Sequence, residues 1–253
     1  MPTVLLRLSA PLQAYGTTSQ WEERATAVRP TKSAAVGLIA NALGYEFDDD
    51  LTDLRHLEFA VRADRPGHLM TDQQSAGGGH FPATAFTPAE PGTAVPGKWY
   101  GAARSPIADA EGTLRASWKP GDRTTVLINK QYVADAAFLA GLSTPHQDLA
   151  DQITAALERP YRPLYLGRRS CPPGQPIAHG ITPHGPTSWP DLVPLLPEAT
   201  TTRPRAWVET APGEGTMASP EQVPTTFAAR DHALLHLRAF DTHPPAATSE
   251  NTP

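Results

Sequence analysis

Residues 30–44, Pro30-Thr31-Lys32-Ser33-Ala34-Ala35-Val36-Gly37-Leu38-Ile39-Ala40-Asn41-Ala42-Leu43-Gly44, read as a helix from about Lys32 to Leu43. Ala35, Val36, Ile39, Ala42 and Leu43 recur on one face, Pro30 precedes the first turn, and Gly44 stands where a left-handed terminal glycine belongs. On the N-terminal side, Thr3-Val4-Leu5-Leu6-Arg7-Leu8 alternates as a strand that Pro11 ends and Gly16 turns. On the C-terminal side, Leu57-Glu58-Phe59-Ala60-Val61-Arg62-Ala63 alternates as a second strand closed by Pro66-Gly67. Thr124 to Val133 is β-branched enough for a third, with a further strand through Ala137-Phe138-Leu139. Leu149, Ile153, Ala156 and Leu157 place a second helix between Pro145 and Glu158, stopped by Pro160. Strand, helix, strand, strand, helix is the order of an α+β, ferredoxin-like (RRM-like) β-α-β-β-α-β unit. Residues 203–209 and 232–240 read as late strands that complete or extend its sheet.

Between the second and third strands, residues 71 to 123 carry Gly77-Gly78-Gly79, six Pro or Pro-Gly breaks and little periodicity. So long an excursion inside a compact domain signals function or disorder, and Trp99, Tyr100, Arg104, Trp118 and Lys119 equip it for binding. The expected organisation is a domain over 1–172, a β-rich extension over 173–243 and a disordered tail over 244–253.

The 253 residues include 28 prolines, 19 glycines and one cysteine. Proline at about 11% is twice the usual share, yet Pro plus Gly stays below the level of disordered chains. A single thiol, Cys171, makes neither an intrachain disulfide nor a cysteine zinc site, and suits a reducing compartment. Arg7 breaks the first apolar run at once, and no stretch reaches the roughly 20 apolar residues that span a bilayer. The expectation is a cytoplasmic protein with no membrane partner. The net charge of −5 argues against coating by nucleic acid. Its distribution leaves residues 1–44 at +2 and 155–172 at +3, so a local basic groove forms if the fold unites them.

Arg29-Pro30-Thr31-Lys32-Ser33 sets a lysine and two hydroxyls at a helix N-terminus, where unpaired N–H groups and the dipole favour an anion. A capped helix with Thr31 or Ser33 at its N-cap explains the same residues. The P-loop spelling fails, because Thr26 and Thr31 stand where glycines are needed. Gly167-Arg168-Arg169-Ser170 puts two phosphate-matching guanidinium forks after the second helix, a pattern that also serves an ordinary solvated surface. His179 with His184 and His232 with His236 lack a third ligand, so no metal or other cofactor is expected. Cys171 has no activating histidine beside it, and no nucleophilic enzyme is indicated.

Four segments taken together resemble the CasD family, subunits of type I-E CRISPR Cascade in the RAMP superfamily. They are Leu5 to Gly16, Arg29 to Ile39, Tyr132 to Phe138, and Leu164 to Pro172. Tyr15 stands where the family's first motif carries tryptophan. The resemblance implies a ferredoxin-like domain with an inserted β-hairpin thumb at about 74–123. It implies a non-catalytic subunit that caps the 5′ handle of the crRNA and nucleates backbone assembly for antiviral interference. The implied partners are the crRNA handle, the backbone subunit CasC and the large subunit CasA, with target DNA reached only through the complex. On this reading Thr31, Lys32 and Ser33 bind a handle phosphate with Arg29 alongside, and Arg168, Arg169 and Ser170 grip the backbone or a flipped base. Gln13 and Tyr15 meet a base edge or stack, and Lys130 and Tyr132 line the same sheet. The alternative is a metal-independent endoribonuclease acting on CRISPR repeat RNA, with His68, His80, Tyr45 or Lys130 as acid and base.

Overall fold

The computed structural model describes residues 1–16, 23–76, 107–108, 114–115, 126–215, 217–219, 223–228 and 234–247. They fall into two compact units. Met1–Ser19, Ala25–Met70 and Gln131–Pro253 form the first; Gln20–Arg24 and Thr71–Lys130 form the second. In chain order the elements are β1 (Thr3–Gln13), β2 (Glu23–Arg24), α1 (Lys32–Leu43), α2 (Thr52–Arg55), β3 (Glu58–Arg65), β4 (His68–Ala76), β5 (Ile107–Ala108) and β6 (Leu114–Arg115). Then follow β7 (Val126–Ser143), α3 (Gln147–Glu158), β8 (Ala178–Thr182), α4 (Trp189–Leu192), β9 (Arg205–Glu209), β10 (Met217–Ser219) and β11 (Leu235–Asp241).

The main sheet runs β10-β11-β9-β3-β7-β1-β8, each neighbouring pair antiparallel. Within it β8, β1, β7 and β3 lie side by side, with α1 between β1 and β3 in the chain and α3 between β7 and β8. The stretch 173–243, expected as an extension, supplies β8 beside β1 and β9 beside β3, so it builds the first unit's own sheet. Proline spacing hid β8 from the sequence reading, because five residues flanked by Pro176 and Pro183 carry no alternation to detect.

α1 forms where expected. The Thr31 hydroxyl accepts from the Ala34 N–H (3.2 Å), and Gly44 closes the helix at φ 86° with its N–H bonded back to the last turn. Val36, Ile39 and Ala42 bury onto Leu6, Leu8, Phe59, Val61 and Phe138, joined by Ile153 and Leu157 of α3. β1 runs past Pro11 to Gln13, where the sequence predicted an end. It does so because β8 covers only Thr3 to Leu6, so the missing N–H of Pro11 falls where no β8 residue pairs. β7 is one strand of 18 residues rather than two.

The opposite face of the sheet is also covered. Leu5, Ala60, Ala137, Leu139 and Val208 pack under Trp189, Val193 and Leu196 of a proline-rich strap. Gly141 is required there, since a Cβ would lie 2.5 Å from Trp189 Nε1. Arg62 fastens the strap: Nε and Nη2 bind Asp64 (2.6 and 2.9 Å), Nη1 donates to the carbonyls of Pro190 and Val193, and Nη2 to that of Pro194 (2.7–2.8 Å). Asp64 in turn accepts from the Leu196 N–H at 2.8 Å. Arg7 ties in the strap's far end through Glu198, 2.5 Å away. Within 244–247, the described start of the expected tail, Pro245 O accepts from the Leu195 N–H at 2.9 Å.

In the second unit β2 pairs in parallel with Asn129 and Lys130, and β5 pairs antiparallel with β6. Of the expected thumb at 74–123, most residues, with Trp99, Tyr100, Arg104, Trp118 and Lys119, lie outside the described residues.

Candidate nucleic-acid interface

The end of β1 and the loop after α3 are built against each other. The Ala14 N–H donates to Leu166 O (3.1 Å), the Leu166 N–H to Cys171 O (2.8 Å) and the Cys171 N–H to Arg168 O (2.8 Å), closing a tight turn. Gly167, at φ 88°, lets that turn touch β1, since a Cβ there would sit 1.5 Å from Ala14 O. The turn projects Arg168, Arg169 and Ser170. Arg169 and Ser170 are exposed and Arg168 is half-buried. The Arg168 guanidinium lies 4.6 Å from the centre of the Tyr132 ring and donates to Gln131 O at 2.9 Å. A guanidinium flattened on an aromatic ring is held in one orientation while keeping its charge. Cys171, beneath the turn, is buried, and burial pushes its thiol up from the ordinary value.

Three residues expected to touch RNA here are occupied by the protein. Gln13 is fully buried, its amide donating to Leu8 O and Ala136 O (3.2 and 2.8 Å) and accepting from the Tyr15 hydroxyl (2.5 Å). Tyr15 is buried edge-on to Phe138, and burial, with Cys171 adding, raises its hydroxyl well above the usual value. Tyr132 is buried under Arg168. Gln13 and Tyr15 thus shape the turn from below and offer no base edge or stacking face at the surface. A short aromatic and amide motif beside a turn looks the same in sequence whether it points outward or anchors the strand end.

The α1 N-terminus forms a separate group. Lys32 is buried, its ammonium 2.9 and 3.0 Å from the two oxygens of Glu209, which also accepts from the Phe59 N–H at 3.0 Å. Arg29 is buried over Trp207, 5.6 Å from its ring centre, and donates to Pro30 O at 3.0 Å. Thr31 is the buried N-cap, 3.3 Å from the half-buried Ser33 hydroxyl. The motif that spelled an anion site therefore works as the clasp between α1 and β9. Glu209 and Trp207 were missed in sequence because their partners lie about 177 residues away. Lys130 belongs to the second unit, where its ammonium meets Gln74 Oε1 at 2.5 Å.

The residues considered for acid-base work do not assemble. Tyr45 is half-buried; burial first, then Asp53, Asp49 and Asp50, raise its hydroxyl. His68 is exposed at the start of β4, and His80 lies outside the described residues. Among the described residues no three His, Cys, Asp or Glu side chains group as metal ligands, and no helix is long and apolar enough to cross a membrane.

The chain compares with known proteins over most of its length. The family model described as CRISPR-associated protein (Cas_Cas5) matches residues 3–240. The CRISPR system Cascade subunit CasD of Escherichia coli (strain K12) is 29% identical over 184 residues, covering 70% of each chain. A chain of a structure titled CRISPR RNA-guided surveillance complex superposes with a TM-score of 0.71 at 27% identity, over 98% of this chain and 95% of that one. A crystal structure of a Cas protein gives 0.65 at 27% identity, over 96% and 95%. Sheet, strap and Arg-bearing turn together therefore belong to a member of the CRISPR-associated Cas5 family.

Proposed function

We propose that this chain is a non-catalytic, cytoplasmic subunit of a type I-E Cascade surveillance complex, and that it binds and caps the 5′ handle of the crRNA. The observation that carries the reading is the turn at 166–171, which holds Arg168 rigidly on Tyr132 and leaves Arg169 and Ser170 in solvent. One preset guanidinium and one exposed guanidinium beside a hydroxyl suit the phosphates of a single strand, with an Arg plane available for a base. The strand order β8-β1-β7-β3 supports the ferredoxin-like reading. The strap over one sheet face and the helices over the other direct RNA to the rim of the sheet, in contrast to domains that stack bases on an open sheet. The resemblance to CasD supports backbone subunit CasC and large subunit CasA as protein partners, with the excursion at 74–123 as the thumb that reaches a neighbour.

The test mixes the full chain with labelled repeat-spacer RNA without added metal, and runs a gel shift beside a denaturing gel. Retention of intact RNA, lost when the 5′ handle sequence is scrambled, is the expected result. Specific cleavage within the repeat that survives a chelator would make the chain an endoribonuclease instead.

A further inference from the structure

The helix side of the first unit carries a surface that the RNA reading leaves unused. At the C-terminal end of α1, Tyr161 is 74% exposed and Phe47 58% exposed. Tyr161 is nonetheless fixed. Its N–H donates to Ala42 O at 2.9 Å, its ring lies against Gly44, and the Arg162 guanidinium sits 5.1 Å from the ring centre. Arg162 donates to Tyr45 O at 2.8 Å and pairs with Glu46, so the aromatic is held in place from both sides. Pro160, the residue before Tyr161, helps line a groove of about 520 Å³, formed mainly by Leu157, Leu164, Ile177 and three prolines, 160, 173 and 176. Glu158 is the groove's one charged lining residue.

The charge around this surface is mainly negative, nine carboxylates against Arg55, Arg159 and Arg162. From Tyr45 to Glu58 the chain carries Glu46, Asp48, Asp49, Asp50, Asp53 and Glu58 against Arg55, and all six carboxylates are exposed. α3 adds exposed Asp148, Asp151 and Glu158 with no basic residue of its own. The field is felt locally, since Asp53, Asp49 and Asp50 all act to raise the Tyr45 hydroxyl. Such a surface repels a phosphate backbone. A preordered aromatic beside an apolar groove is the anatomy of a protein contact, where a few anchors carry the energy and complementary charge sets the partner.

We infer that Tyr161, Phe47 and the groove beside α3 form a docking surface for a basic, apolar segment of a partner protein. That segment sets a large apolar side chain among Leu157, Leu164 and Pro173, with a Lys or Arg on Glu158. The inference rests on the reading of the chain as a subunit of a multiprotein complex and assigns the side of the molecule that meets protein rather than RNA.

The test replaces Tyr161 with the photocrosslinker p-benzoylphenylalanine in the full chain, expressed with the other proteins and crRNA of its CRISPR locus. Gradient sedimentation is followed by irradiation and mass spectrometry. A crosslink to one protein segment bearing an apolar residue within a few positions of Lys or Arg is the expected result. A crosslink to RNA, to an acidic segment, or to nothing within a co-sedimenting complex overturns the inference alone. Failure to co-sediment overturns the complex reading with it. The pair of substitutions Tyr161→Ser and Glu158→Lys separates the two further: it should lower recovery of the assembled complex roughly tenfold. Handle-RNA affinity of the isolated chain should stay unchanged.

Discussion

Gly167 is the residue on which the candidate interface turns. Gly167→Ala adds a methyl 1.5 Å from Ala14 O at a φ of 88°, so backbone must move. A loss of at least about 2 kcal/mol is expected in urea unfolding, with handle binding lost alongside; an unchanged midpoint would mean the turn is not seated on β1. Two cations that look alike in sequence should part company. Arg168→Ala is expected to leave stability nearly unchanged, weaken handle RNA and reduce the salt slope by about 1. Lys32→Met should cost about 1–3 kcal/mol by stranding Glu209, which retains some access to water, while the salt slope holds. If instead Lys32→Met flattens that slope, the clasp opens on RNA and the lysine reaches a phosphate. The basic character of both motifs was legible in the chain; which one is spent on a distant glutamate was not, because ion pairing across the fold leaves no local trace.

At the scale of elements, the strap is held by a small number of polar bonds. Arg62→Met abandons Asp64 in the interior, and a loss of about 3–5 kcal/mol is expected from such an uncompensated charge. Adding Asp64→Leu should recover part of that loss, and a double-mutant cycle showing strict additivity would contradict a coupled pair. Glu198 ties the same strap to pH. Burial works to raise its carboxyl, but the bond from Arg7 and its other hydrogen bonds outweigh burial and hold it below the ordinary value. The folded group thus keeps its charge in more acid solution than the unfolded one, whose pKa is about 4.3. Its stabilisation is complete above that pH and fades as pH falls through the lower folded value. Thermal scans should show the gap between the wild-type chain and Glu198→Gln narrowing only below about pH 4.3. Both long helices were legible, since each has apolar spacing and a terminating Gly or Pro. The strap and β8 were not, because prolines erase periodicity and Trp189 finds its cover through Gly141, far off in the chain.

At the scale of the molecule, carboxylates outnumber cations over 46–58 and α3 while the turn at 166–171 carries Arg168 and Arg169, an arrangement that on the proposed reading would let a chain of net charge −5 take up RNA. The split was visible as basic segments at 1–44 and 155–172, yet the fold spends Arg7, Lys32 and Arg162 on carboxylates and leaves Arg169 in solvent. The late strands at 203–209 and 232–240 were legible as additions to the sheet and are β9 and β11, whereas the neighbour of β9 was not, because its pairing with β3 spans more than 140 residues. Cys171 gives the turn one more property. As the chain's lone thiol, shut beneath Arg168 and Ser170, it reacts with an alkylating reagent only when the turn lifts away. Its labelling rate is therefore a clock for that opening, with no competing sulfhydryl to blur the signal. Saturating handle RNA should slow the clock in proportion to how firmly it clamps the turn.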